Sequence, residues 1–263
     1  MYKYWLIAQL FWQDSLVYRA SFLMWRLRSF TSTLISLSVW SAIYQHQSQV
    51  FNYSQPAMLS YIFLTAILHS LILSTSLHSL ANEIYSGQIS FNLLKPINFM
   101  GMLISQELAD KAINIIFAIG EINLLYLIFK PSFILPPSNT ILIFIFWVAL
   151  GIIIHFIINL LFGTIGFWSP DSWGPKFLFF MLIEFTAGKL YPLDILPQII
   201  QKIIYLTPFP YLSYAQTQLF LGKVNNNQFL QTTLIMIAWI LGLGLIYKLI
   251  WKNGLRNYTS MGQ

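Results

Sequence analysis

Six apolar runs, most of them long enough to cross a bilayer, leave this chain few ways to fold. They fall at about Leu23–Tyr44, Ala57–Leu77, Ala112–Phe129, Ile141–Ile165, Phe177–Leu190 and Phe229–Trp251. A helical span needs about 20 apolar residues, so only the fifth run is short. Backbone polar groups must be satisfied within each segment inside lipid, which makes every run a helix. Composition agrees: 57% of the residues are hydrophobic and only 8% charged, against roughly a quarter charged in a soluble domain. The expected fold is therefore all-α and polytopic, one unit over residues 1–263 with no soluble domain large enough to hold its own core.

The polar residues between the runs carry the rest of the information. Residues 1–20 contain Lys3, but Gln9, Gln13 and Asp14 interrupt the apolar stretch and no small-residue cleavage pattern follows. That excludes a signal peptide and predicts an interfacial helix ahead of the first span. The first span is rich in Ser and Thr (Ser29, Thr31, Ser32, Thr33, Ser36, Ser38, Ser41), which suits a helix facing other helices. Pro131, Pro136 and Pro137 close the third span, and Pro170 with Pro175 separates the fourth from the fifth.

Basic residues orient the bundle. With both termini on the cytoplasmic side, ten of the 14 lie inside: Lys3, Arg19, Arg26, Arg28, Lys95, Lys111, Lys176, Lys248, Lys252 and Arg256. Lys130, Lys189, Lys202 and Lys223 remain outside, and the first outer loop, 45–56, has no Lys or Arg. The basic balance is thus topology; the residues flank spans and form no nucleic-acid patch. Cysteine is absent, so disulfides and thiol chemistry are excluded.

Two loops stand out in this frame. Residues 82–96, Asn-Glu-Ile-Tyr-Ser-Gly-Gln-Ile-Ser-Phe-Asn-Leu-Leu-Lys-Pro, form a polar island between apolar runs. Its Gly turn, short apolar set (Ile84, Ile89, Phe91, Leu94) and flanking Glu83 and Lys95 read as a short helix able to enter a partner's groove, the charges setting register. Residues 191–210 place Leu196, Ile199, Ile200, Ile203 and Ile204 at helical spacing opposite Gln198, Gln201 and Lys202, between Pro192, Pro197, Pro208 and Pro210. That pattern predicts an amphipathic segment dipping into the outer leaflet.

The Glu83–Pro96 stretch, with Ser-Gly-Gln-Ile inside and Leu-Leu-Lys-Pro at its end, followed by Gly188–Pro197 and Thr207-Pro-Phe, resembles the permease subunits of ABC-2 type transporters, specifically the short bacterial branch of six spans. The resemblance implies a half-transporter that dimerises with itself or a similar permease and binds two copies of a separate ATPase, which uses the ATP and magnesium. It implies that Glu83, Gly87, Gln88, Leu93, Leu94, Lys95 and Pro96 belong to a cytoplasmic coupling helix. It further implies that Gly188, Pro192, Leu193 and Pro197 belong to an outer re-entrant element, and that the chain works as an exporter. The chain itself has no G-x-x-x-x-G-K-[ST] sequence to cradle a triphosphate, so no catalytic residue or bound cofactor is expected.

Ionisable residues within spans are costly and mark function by default. Glu121 in the third span and Glu184 in the fifth are candidates for a substrate path. His69 and His155 are expected to be buried and satisfied by carbonyls, and Glu107, Asp110 and Lys111 to form a solvated cluster. The rival classes are a lipid-modifying membrane enzyme and a channel. Against a diiron enzyme, His69 and His78 are nine residues apart, on opposite faces of one helix, and no metal site is expected. A channel would need a polar filter, for which the first span is the one candidate. Membrane lipid is the remaining partner.

Overall fold

The computed structural model describes residues 2–258 apart from Tyr18, Pro131, Leu135, Ser138 and Asn139; the expected helix stop at Pro131 therefore lies outside the described residues. Helix α1 (Tyr2–Val17) leads into α2 (Arg19–Ile43), and a hairpin of β1 (Gln49–Val50) and β2 (Tyr53–Ser54) leads into α3 (Gln55–Ile72). The strands pair antiparallel with Val50 opposite Tyr53. Phe51 and Asn52 between them both take positive φ, 51° and 62°, the geometry that matches a two-residue turn to strand twist.

The island folds as two short helices, α4 (Leu80–Tyr85) and α5 (Ile89–Leu94). Long helices α6 (Phe99–Phe129) and α7 (Ile141–Thr164) follow, then α8 (Trp173–Thr186), α9 (Gln198–Tyr205), α10 (Tyr214–Phe220) and α11 (Asn226–Asn257). Asn98 caps α6 by accepting from the Gly101 amide at 3.0 Å, and Asn225 with Gln228 forms a capping box on α11.

Among the described residues four helical segments are long and apolar enough to cross a membrane: Gln55–Ile72, Phe99–Phe129, Ile141–Phe167 and Asn226–Arg256. Two further helices, α2 and α8, fall outside these four. Of these, α2 has the length, but Arg26, Arg28 and its hydroxyls dilute its apolar character, and α8 has only 14 residues, about 21 Å. Residues 112–129 are only the second part of α6, which begins at Phe99 because the polar stretch holding Glu107, Asp110 and Lys111 stays helical.

Three apolar clusters stack along the bundle. At one end Leu77, Leu80, Ile84, Ile89, Met102, Leu103, Leu160 and Phe167 pack under the island. The middle joins α3, α7, α8 and α11 through Leu68, Ile72, Trp147, Ile154, Ile183 and Met236. At the far end, beside the hairpin, Leu37, Trp40, Tyr53, Tyr61, Leu125, Leu193 and Tyr214 come together. On α2 the buried stripe is Arg26, Thr33, Leu37 and Trp40; of the hydroxyl residues only Thr33 is buried, so packing here rests on large side chains.

Both described ends of the chain lie at the island. Lys3 Nζ donates to the Pro96 carbonyl at 3.5 Å, and the Tyr258 hydroxyl donates to the Ile84 carbonyl at 3.1 Å. Helix α1 lies along the first part of α6, where a Cβ on Gly101 would stand 2.7 Å from the Tyr4 ring. Its Trp5, Leu6, Leu10 and Val17 are exposed. Exposed leucines also line α6 (Leu108, Leu127) and α11 (Leu241, Leu245, Leu249), an apolar belt characteristic of a multi-pass membrane protein.

Candidate functional site

The island divides its apolar side chains between two jobs. Ile84 and Ile89 are fully buried beneath it, whereas Phe91 is 71% and Leu94 82% exposed. The sequence expectation of four anchors for a partner is therefore corrected: two of them hold the island to its own bundle. Helical geometry explains the split, since Phe91 and Leu94 are three residues apart and share one face of α5. Leu93, Lys95 and Pro96 extend that exposed surface, and Gln88 is exposed at its start.

The turn between α4 and α5 depends on Gly87, which is buried with φ +80°. That region suits glycine alone at low cost. Glu83 is held inside the island, accepting from Ser79 Oγ at 2.6 Å and from Asn92 Nδ2 at 3.5 Å. Lys95 donates to Asn92 Oδ1 at 2.8 Å. The two charges expected to set a partner's register thus meet through Asn92 and hold α5 in place.

The island also rests on other helices without slack. A Cβ on Gly166 would collide with the Ala81 carbonyl, and one on Gly163 with the Leu80 side chain. At its root, Glu107 and Lys111 are 3% and 4% exposed; they are no solvated cluster. Glu107 Oε2 accepts from Thr75 Oγ1 (3.1 Å), the Ser76 amide (2.9 Å) and Ser76 Oγ (3.0 Å). Lys111 Nζ donates to the carbonyls of Ile72 (3.0 Å) and Ser74. These are the groups a helix end leaves orphaned.

Two further ion pairs sit within the bundle. Arg26 Nε is 2.7 Å from Glu121 Oε1, and its Nη1 donates to Ser70 Oγ at 2.6 Å and Asn114 Oδ1 at 3.3 Å. The pair joins α2 to α3 and α6. Glu184 on α8 meets His69 Nε2 at 3.2 Å and Lys189 Nζ at 2.9 Å. His69 is therefore satisfied by a carboxylate rather than a carbonyl, and His155, fully buried, lies against Asn159 one turn away. Both candidate path residues, Glu121 and Glu184, are engaged by cations of their own chain.

The far end is built around Gly188, whose φ is +80° and whose Cβ would stand 2.7 Å from the Tyr61 hydroxyl and 2.9 Å from Tyr214 Cβ. Pro192 leads into a single turn of 3-10 helix at Leu193–Ile195, and Pro197 precedes α9. Leu193 is fully buried. Tyr53 ties the segment to the hairpin by donating to Asp194 at 2.9 Å while accepting from Gln218 Nε2 at 2.7 Å. Burial pushes the Tyr53 phenol far above its usual pKa, so it remains a donor. Helix α9 turns Ile199, Ile200 and Ile203 outward and buries only Ile204, Leu206 just past its end is exposed, and Gln201 is bonded to the Leu196 carbonyl at 2.7 Å.

Among the described residues no group of three His, Asp or Glu side chains is placed to hold a metal ion. The Glu107 and Lys111 pair was the feature hardest to see in the sequence; its signal was a Glu-x-x-x-Lys spacing at the start of a helix that proved longer than its apolar part. Comparison with known proteins gives a match over residues 30–262 to the family described as ABC-2 family transporter protein. No curated protein matches the chain.

Proposed function

This chain belongs to the ABC-2 transporter family, and we propose that it is the six-span permease subunit of an ATP-driven exporter whose ATPase is a separate chain. The observation that carries the reading is the island's division of labour. Ile84 and Ile89 are buried, so the segment is rigid, while Phe91 and Leu94 leave an apolar face open on a short helix. A rigid helix with exposed anchors fits a groove on a partner. The surface around it supplies Gln88, Leu93, Lys95 and Pro96, with Glu83 and Gly87 shaping it from within.

Charge supports an inward-facing island. Lys3, Lys95, Lys176, Lys248, Lys252 and Arg256 belong to the island end, whereas the hairpin end holds Lys130, Lys189, Lys202 and Lys223. Both termini are then cytoplasmic, and α2, α3, α6, α7, α8 and α11 are the spans. The Gly188, Pro192, Leu193 and Pro197 segment, with the outward isoleucines of α9, forms the outer re-entrant element against lipid. A second permease copy completes the path, and ATP and magnesium bind the ATPase. Closure of the ATPase pair pulls on the island and shifts the bundle between inward and outward states.

A tagged chain purified from its native membrane tests this. It should retain a P-loop ATPase, and replacing Phe91 and Leu94 with Ala should release that ATPase at least tenfold while the permease stays folded. A chain that purifies alone and modifies a lipid would overturn the reading.

A further inference from the structure

The break between α3 and the island offers a handle that the exposed docking face does not explain. Residues 73–76 leave a membrane-length helix and enter the 3-10 turn Leu77–Ser79 that begins the island. Their polar groups are gathered by two side chains one turn apart on α6. Lys111 has three protons to give and sits within 3.3 Å of Ser74 Oγ, with the Ile72 and Ser74 carbonyls as further acceptors and Glu107 Oε1 at 3.0 Å. Glu107 takes three hydrogen bonds from Thr75 and Ser76. Thr75 Oγ1 in turn accepts from the Leu77 amide at 3.2 Å. Glu107 and Lys111 thus hold groups on Ile72, Ser74, Thr75 and Ser76 directly, and both side chains are about 95% buried.

Helix α6 carries that grip across the molecule. Its 31 residues span about 46 Å, of which about 35 Å separate Met102 in the island cluster from Leu125 in the hairpin-end cluster. We propose that Glu107 and Lys111 are positioning residues for coupling: they clasp the α3 break to α6, so that the island and α6 move as one body when the ATPase pulls. This rests on the permease reading for the source of the pull, but not for the clasp itself.

The polarity of the clasp makes it distinguishable from an ordinary ion pair. Lys111 serves the Ile72 and Ser74 carbonyls and Glu107 the Ser76 amide, so exchanging the two residues keeps the ion pair yet faces a carboxylate with the carbonyls and an ammonium with the amide, while the hydroxyls can turn to suit either. Lys111→Arg, by contrast, retains donors for both carbonyls.

Two measurements test the proposal. The first is amide hydrogen exchange on the purified chain alone in nanodiscs. Glu107→Ala should speed exchange across residues 73–79 at least tenfold with α7 unchanged, Lys111→Arg should stay within about threefold of the native chain, and the Glu107→Lys, Lys111→Glu exchange should behave like Glu107→Ala. Unchanged exchange in Glu107→Ala, or full protection in the charge exchange, would overturn the clasp. The second uses the absence of native cysteine: spin labels at Ser86→Cys and Leu127→Cys report the island against the far end of α6. With the ATPase bound, their distance should be the same in ADP and in ATP with vanadate, and Glu107→Ala should make it depend on nucleotide. A nucleotide-dependent distance in the native background would overturn the one-body claim. Failure of any ATPase to bind would instead sink the permease reading, with the exchange measurement still deciding the clasp.

Discussion

Arg26 shows what a single charge can do in this bundle. It is 3% exposed, yet its guanidinium reaches Glu121, Ser70 and Asn114 on two neighbouring helices. Removing one partner of a fully buried pair costs about 3 to 5 kcal/mol; Glu121 is 22% exposed, which puts the cost here at about 1 to 3 kcal/mol. Arg26→Met should therefore destabilise the chain by about that amount, measured by unfolding in detergent. The double variant with Glu121→Met should recover most of the loss, because Ser70 and Asn114 keep the bonds they make to the Asn114 and Asp110 carbonyls. A double variant no more stable than the single one would show that the loss does not come from a stranded Glu121. In the sequence Arg26 counted only as a cytoplasmic positive charge. The pairing depends on α2 lying beside α6, ninety-five residues away, which no local pattern encodes.

At the scale of elements, the helices with one clear periodicity were legible and those with mixed burdens were not. Apolar length located α7 almost to the residue, but it carried α3 past its end at Ile72 to Leu77 and stopped α11 at Trp251, short of Asn257; the prolines and Gly188 delimited the far segment because each acts through its own backbone. The start of α6 was missed, since hydropathy stops where Lys111 and Glu107 begin although the helix continues. The island was legible as an element, but not in how it divides its side chains; Ile84, Ile89, Phe91 and Leu94 look alike until α7 and the 165–167 turn close beneath two of them. That division has a consequence for stability. Ile89→Ala empties a fully buried site and should cost about 2 to 4 kcal/mol, whereas Leu94→Ala, 82% exposed, should leave the unfolding curve of the chain alone within about 0.5 kcal/mol. Equal losses would mean that the exposed face packs on the chain itself.

For the molecule as a whole, the arrangement joins two ends by rigid parts. The segment leading into the island is fastened to α6 by Glu107 and Lys111, and the island's first helix to the turn after α7 by close contact at Gly166, while the far end is fastened to the hairpin by Tyr53 and to α3 by Gly188. Apolar belts on α6 and α11 face outward along the whole length. Such a body offers the island as a handle at the end that carries both described chain ends, and what grips that handle decides what drives the molecule. Site-specific photocrosslinking in the native membrane decides this. A photoreactive residue at Leu94 should capture a P-loop ATPase of the same cell, while one at Leu206 just after α9, similarly exposed but at the opposite end, should capture none. Capture from Leu206, or from neither position, would contradict the claim that the island is where an ATPase holds this chain.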